Sequence, residues 1–432
     1  MSQETEYLHR YRGNSRSWFF VLGPSFALRA TAGKSWFQRR TVNAERRTQT
    51  MKILFFCNLV PNKLGAYERW LVTFGQFLHE KGDEFVVAFP GELHPDVARD
   101  LEAAQATCVS MDGWTDADGR EHAWAFVGLA LRHLRRFKPD LVVVNFGNEW
   151  PSAVTALLAS CSGHHGVKWI WQQHQQVCDP SSITARFSAI RALGWFFKHF
   201  IAVYDGGRAS LLKRGLSPSR VDVVYNGIQD HESKNAEGWL KAELGLSPDT
   251  FVLANTGWLI PRKRAAFVLK AYARVRERVA APLALVIVGD GPLAESLKRL
   301  ANELGVSDTV YFLGLRNDVR EILGEVDVLV HAALAETCTY VISEAMCASV
   351  PCVVTDAGAS REQIVSGETG YVVTQDDADA FVDNVTLVLS DASLRTAMGV
   401  AARQRWEQRY TIDRAVETYY DICQRVLAGP DV

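Results

Sequence analysis

The sequence predicts an α/β protein of two Rossmann-like, doubly wound domains facing a central cleft, and three observations carry that prediction. From Lys52 onward, short β-branched or apolar runs alternate with amphipathic helical stretches, the sequence form of parallel sheets with crossover helices. A polar stretch from Gln229 to Asp249 interrupts the alternation, which then resumes. The length of 432 residues, 48% of them hydrophobic, is enough for two sizeable cores.

In the first half the strand candidates are Ile53–Phe56, Phe85–Phe89, Leu141–Asn145, Trp169–Gln172, Phe200–Val203 and Val221–Tyr225, with helices such as Tyr67–Glu80 and Trp124–Phe137 between them. The second half offers Phe251–Thr256, Ala284–Val288, Val310–Leu313, Val328–His331 and Cys352–Thr355. A last helix, about Arg403 to Leu427, carries Trp406, Tyr410, Tyr419 and Tyr420, too much aromatic surface for a free tail, and is expected to pack back on the first domain. The boundaries expected are 1–50 for an extension, 51–230 and 231–405 for the two domains, and 406–432 for the returning helix. Sheets of this kind take ligands at the carboxyl ends of their strands, so two facing sheets imply a cleft for two substrates.

The net charge of −2 gives no global reason to expect nucleic acid. It averages two unlike parts: nine Lys/Arg against three acids in residues 1–50, and a net −8 over the rest. The first fifty residues lack periodic order and read as a disordered extension, with Met51 a plausible alternative start; their Trp18, Phe19, Phe20, Trp36 and Phe37 among basic residues would also suit an anionic lipid surface. The eight cysteines form no CxxC pair and several sit in apolar runs, which suits a reduced, cytoplasmic protein. No apolar stretch reaches the roughly 18–20 residues a bilayer span needs, and Trp18 to Leu28 lacks a convincing signal cleavage site.

Missing motifs narrow the chemistry. GxGxxG after a first strand, GxxxxGK[ST] and HExxH are all absent, which removes the usual nicotinamide, P-loop and zincin readings. Of two DxD triplets, Asp116-Ala-Asp118 and Asp377-Ala-Asp379, the second falls at a helix start, where acids cap and favour the dipole, and no metal is expected. The informative segment is Glu336-Thr-Cys-Thr-Tyr-Val-Ile-Ser-Glu344, which follows a strand and runs into a helix over Tyr340–Ala348. Amides at such a helix start suit an anionic group, and carboxylates beside it suit sugar hydroxyls. On spacing alone a capped helix with a surface acid is the better explanation.

The surroundings decide between those readings. Val286-Ile-Val-Gly289-Asp290-Gly291-Pro292, Phe312-Leu313-Gly314, Glu336 to Glu344 with Ala345-Met346, and Gly367-Glu-Thr-Gly370, in this order, resemble the family 4 glycosyltransferases of the GT-B superfamily with their E-x7-E motif. Gly65-Ala-Tyr-Glu68-Arg69, the strand ending near His174, and Tyr225-Asn226-Gly227-Ile228 extend the resemblance over residues 51–425. It implies a GT-B fold and transfer from a nucleotide diphosphate sugar with retention, the donor being a co-substrate and no cofactor or essential metal being used. Carried over by position, Glu344 would accept the ribose hydroxyls, Glu336 would contact hydroxyls of the donor sugar, and the amides of Thr339, Tyr340 and Val341 would meet sugar and phosphates. Gly314 and Leu315 would meet the base, Gly65 would lie close to the diphosphate, and His174, structural if judged as a lone histidine, would stand near the reacting sugar.

A diphosphate leaving without metal needs cations. Thr256-Gly-Trp258-Leu-Ile-Pro-Arg262-Lys263-Arg264 resembles the family's G-R-L-x-x-x-K-G, with Lys263 in the lysine position, Trp258 where the family has arginine and Arg264 where it has glycine. Arg262 or Arg264 could restore the lost charge; failing that, the chain would be a silent homologue that binds nucleotide sugar, or a GT-B epimerase or phosphorylase. A glycan, a lipid-linked molecule or a small molecule could serve as acceptor. The basic and aromatic stretch Ala185 to Phe200 would suit either an anionic membrane surface or a buried helix, and the cluster Arg132, Arg135, Arg136 and Lys138 a solvated helix end.

Overall fold

The computed structural model describes residues 50–57, 65–111, 123–145, 149–161, 166–174, 194–231 and 235–429. Two fully parallel sheets organise them. Seven strands, β1 (Lys52–Cys57), β2 (Glu84–Phe89), β3 (Thr107–Ser110), β4 (Leu141–Asn145), β5 (Lys168–Gln173), β6 (His199–Ala202) and β7 (Val221–Val223), take the order β3-β2-β1-β4-β5-β6-β7. Six more, β8 (Phe251–Thr256), β9 (Leu283–Val288), β10 (Val310–Gly314), β11 (Val328–His331), β12 (Cys352–Thr355) and β13 (Gly370–Val373), take the order β10-β9-β8-β11-β12-β13. The central strands β4 and β9 are buried along their whole length because helices cover both faces, and their sequences are unbroken apolar runs.

The expected strands fall within one or two residues of the observed ones, but β3 and β13 are additional. Both are edge strands, and the half-exposed Thr107-Cys-Val-Ser of β3 carries neither a long apolar run nor a clear alternation. The order of each sheet reverses once, between β1 and β4 in the first and between β8 and β11 in the second. A ligand crevice forms outside the carboxyl ends of strands at such a switch point.

The single C-terminal helix expected over Arg403–Leu427 is instead two, Ala392–Arg409 and Ile412–Ala428, broken at Tyr410-Thr411. The break is a crossing between the halves. Ile228 N–H donates to the Tyr410 carbonyl (3.0 Å) and Ile412 N–H donates to that of Ile228 (2.9 Å). Gly227 lies so close beneath the crossing that a Cβ would meet the Thr411 carbonyl at 2.5 Å. Trp406 and Tyr410 therefore stay in the second core while Tyr419 and Tyr420 enter the first. There Tyr419 packs among Phe55, Trp70 and Phe74 and donates to Gln172 Oε1 (2.9 Å), and Tyr420 donates to Asp83 Oδ2 (2.9 Å). The last helix thus packs back on the first domain.

The extension 1–49, Asp116 and Asp118, and most of the stretch Ala185 to Phe200 lie outside the described residues. Among the described residues no single helix is long and apolar enough to cross a membrane.

Candidate active site

The second sheet's switch point brings together two loops far apart in sequence. The loop after β8 runs from Gly257 to Arg264 and the loop after β11 from Ala332 to Thr339. They are stitched by the Leu334 amide donating to the Arg262 carbonyl (2.9 Å) and by Arg262 Nη1 donating to the Ala335 carbonyl (2.6 Å). This seam sets Lys263 Nζ 2.5 Å from Glu336 Oε1, with Arg262 Nη1 at 3.9 Å and His331 Nε2 at 3.7 Å from the same oxygen. Glu336 is mostly buried, which by itself would raise its carboxyl pKa; His331 and Lys263 outweigh that and hold it at about 2. His331, at the end of β11, is kept neutral chiefly by burial.

Gly358 supports this loop from below. Its φ is +57° and a Cβ there would stand 2.1 Å from the Glu336 carbonyl oxygen, so the position needs glycine for both conformation and space. Thr339 is the N-cap of the helix Tyr340–Cys347, which is one residue shorter than expected. Of the three amides expected to face a ligand, that of Thr339 does not: it donates to Gln363 Oε1 (3.1 Å), because the buried Gln363 also donates to the Thr339 carbonyl (2.9 Å) and to Ser343 Oγ (3.0 Å). Tyr340 and Val341 follow at the first two helical positions, where amides have no partner within the helix.

Glu344 lies further along this helix with Arg320 Nε 3.7 Å from its carboxylate, beside a cleft also lined by His231, Gly324, Cys347 and Ser349. Arg264 is separated from the Glu336 group. It caps the helix Ala265–Arg278 in the left-handed conformation (φ +51°), its Nη1 donates to the Gln375 carbonyl (2.6 Å), and its guanidinium lies over Phe267. Trp258 and Leu315, beyond the ends of β8 and β10, are the two prominently exposed apolar side chains at this rim, 62% and 68% exposed. Gly314 ends β10 at φ +64° and its carbonyl accepts from Gly289 N–H (2.8 Å).

The first sheet contributes Gly65, N-cap of the helix Ala66–Glu80, whose amide donates to Glu68 Oε2 (3.0 Å). Its φ of −88° is open to any residue, so conformation does not explain a glycine there. His174, just past β5, lines a small pocket with Tyr67, Gln172, Asn226 and, from the second domain, Tyr340. Burial lowers its pKa to about 3, so the imidazole is neutral at physiological pH. No motif in the sequence marks His331 or Gln363 as part of this site. A polar residue closing the apolar run Val-Leu-Val-His was a signal for the first; nothing local marked the second.

The second DxD triplet is structural: Asp377 Oδ1 caps the helix Ala378–Ser390 by accepting from Ala380 N–H, and Asp379 pairs with Arg274. Among the described residues no group of three or more His, Cys, Asp or Glu could hold a metal ion.

Two doubly wound sheets with a carboxylate and cation seam at a switch point define a two-domain α/β protein of the GT-B type. Comparison with known proteins specifies the family. The family model described as "Glycosyl transferases group 1" matches residues 240–405, and "Glycosyltransferase Family 4" matches 67–232. The GDP-mannose-dependent alpha-(1-6)-phosphatidylinositol monomannoside mannosyltransferase of Mycolicibacterium smegmatis is 32% identical over 293 residues, 62% of this chain and 74% of that protein. The N-acetyl-alpha-D-glucosaminyl L-malate synthase of Bacillus anthracis is 32% identical over 208 residues, 48% of this chain; there the chain spans about half of the relative's length, 54%. Among solved structures, Anabaena HepE in complex with UDP superposes with a TM-score of 0.72 at 20% identity, covering 87% of this chain and all of that one. Sucrose-phosphate synthase from Thermosynechococcus elongatus superposes with a TM-score of 0.67 at 15% identity, over 88% and 99% of the two chains. The chain belongs to the family 4 glycosyltransferases and has the GT-B fold.

Proposed function

We propose that this protein transfers a sugar from a UDP- or GDP-sugar to a hydroxyl of a glycan, lipid-linked or small-molecule acceptor, with retention at the anomeric carbon and without an essential metal. The observation that carries the proposal is the seam at the second switch point, where Lys263 and Arg262 converge on Glu336 beside the start of the helix Tyr340–Cys347. An ionised Glu336 accepts from donor-sugar hydroxyls and, being an acceptor only, repels phosphate oxygens. The diphosphate then falls to Lys263, Arg262 and the amides of Tyr340 and Val341, fixed donors aimed where leaving-group charge develops. Glu344 takes the ribose hydroxyls, and Gly314 and Leu315 meet the base. Trp258, which holds no cation, offers a face for stacking in place of the family's arginine. His174, neutral and buried, stands by the reacting sugar as a hydrogen-bonding wall and not as a charge.

The mannosyltransferase relative is named for phosphatidylinositol monomannoside, and an Escherichia coli relative, 28% identical over 212 residues, for an acceptor carried on diphosphoundecaprenol. These names support a lipid-linked acceptor here, which a protein peripheral to a membrane would reach. The 83% exposure of Trp195, in a segment rich in bases and aromatics, supports the same reading. The test is nucleotide release from a panel of UDP- and GDP-sugars with acceptor lipids, with and without EDTA. Release or transfer that survives EDTA is expected with at least one donor. Measurable nucleotide binding with no turnover of any donor would mean a silent homologue.

A further inference from the structure

Glu362 belongs to the short second-domain helix Ser360–Gln363, yet its carboxylate is spent on the first domain. Oε2 accepts from the Asp205 amide (2.7 Å) and Oε1 from the Gly206 amide (2.9 Å). These are the first two amides of the helix Asp205–Lys213, which has no side-chain cap of its own because its N-cap residue is Tyr204. A carboxylate borrowed from the other domain fills that place, where the helix dipole also favours it. The Tyr225 hydroxyl reinforces the clasp by donating to Asp205 Oδ2 (2.8 Å) and Glu362 Oε2 (3.1 Å), and Arg409 Nη2 donates to the Tyr225 oxygen (3.1 Å). The Glu362 carbonyl is fixed in turn by Tyr410 Oη (2.7 Å) and Arg405 Nη2 (2.6 Å).

The adjacent residue grips the opposite partner. Gln363 closes a two-way pair with the backbone of Thr339, the N-cap of the helix whose first turn is proposed to meet the donor. Asn226 Nδ2, from the first domain, donates to the Cys338 carbonyl one residue earlier in the same turn (2.8 Å). The Thr339 turn and the clasp are therefore held by two adjacent residues, Gln363 and Glu362.

We infer that Glu362 and Gln363 are positioning residues that couple donor occupancy at the Thr339–Val341 turn to the orientation of the first domain, by transmitting it to the Glu362 cap on the helix Asp205–Lys213. The inference rests on the proposed donor site. A carboxylate bound to two amides is sensitive to an isosteric change: the amide of Glu362→Gln can accept from one N–H but sets its own N–H₂ against the other.

The test is hydrogen exchange on the full chain, with and without UDP or GDP, read at residues 205–213, alongside donor turnover and thermal unfolding. In the wild type, nucleotide should slow exchange at the first turn of that helix by about threefold or more. Glu362→Gln should abolish this response and lower kcat/KM about tenfold, the worth of one charge-assisted hydrogen bond, while Tm moves little. Tyr225→Phe should do the same more weakly. If nucleotide binds and the nucleotide-sugar donor is turned over but exchange at 205–213 does not respond, or if Glu362→Gln keeps wild-type response and turnover, the coupling is wrong and the donor site stands. If the wild type binds neither nucleotide, the donor site falls and the coupling with it.

Discussion

Replacing Lys263 by Met keeps the length of the stem and removes the ammonium 2.5 Å from Glu336. The worth of that ammonium can be reached by two routes. His331 and Lys263 together outweigh burial and lower the Glu336 pKa from 4.5 to about 2, which at about 1.4 kcal/mol per unit corresponds to about 3 kcal/mol for the surroundings as a whole, an upper bound on the share of the ammonium. Breaking a buried pair by removing one partner costs about 3–5 kcal/mol, and the lower end applies because Arg262 remains 3.9 Å away. A loss of about 3 kcal/mol at pH 7, measured by urea unfolding, is the expectation. A folded pKa below the unfolded one means that Glu336 adds stability above pH 4.5 and loses it as pH falls towards 2. In Lys263→Met the carboxyl loses a charge that lowered its pKa, so that pKa rises and the gap between the two proteins should narrow as acid protonates Glu336. Turnover should fall about a hundredfold, the effect of removing one fixed donor to a leaving group. The double variant with Glu336→Gln should be less destabilised than the sum of the singles. A loss below about 1 kcal/mol at pH 7, or a gap constant from pH 5 to pH 3, would refute the reasoning.

Glu344→Ala should weaken UDP or GDP binding about tenfold or more by calorimetry, with an unchanged circular dichroism spectrum; unaltered affinity removes it from the ribose site. Trp258→Ala should leave stability within about 0.5 kcal/mol, since the side chain is 62% exposed, and weaken nucleotide binding about fivefold if the indole stacks. Gly358→Ala forces a Cβ against the Glu336 carbonyl at φ +57°; it should cost about 2 kcal/mol or more in urea and reduce nucleotide binding as well. Tyr419→Phe strands the buried Gln172 oxygen and should cost about 1–3 kcal/mol of stability, with donor affinity unchanged.

What could be read in the sequence follows from burial. Leu141–Asn145 and Leu283–Val288 are covered on both faces, so the fold demanded unbroken apolar runs and the runs announced the strands. Thr107–Ser110 and Gly370–Val373 are edges and demanded no such run. Glu336, Lys263 and Glu344 were legible because position in a motif fixes them. The partners of the Thr339 amide and of Arg264 were not, since Gln363 and Gln375 lie 24 and 111 residues away. Those pairings depend on which loop ends a switch point gathers.

The sequence alone determined two doubly wound domains and the family resemblance, because local periodicity and motif order are written along the chain. Tertiary structure decided the rest: that Arg262 and Lys263 converge on Glu336 while Arg264 does not, that the last helix breaks at Tyr410-Thr411, and that Glu362 caps a helix of the other domain. Each of these joins groups distant in sequence through hydrogen bonds only a few ångströms long. No local pattern encodes such a distance; the packing of the two sheets against one returning helix sets it.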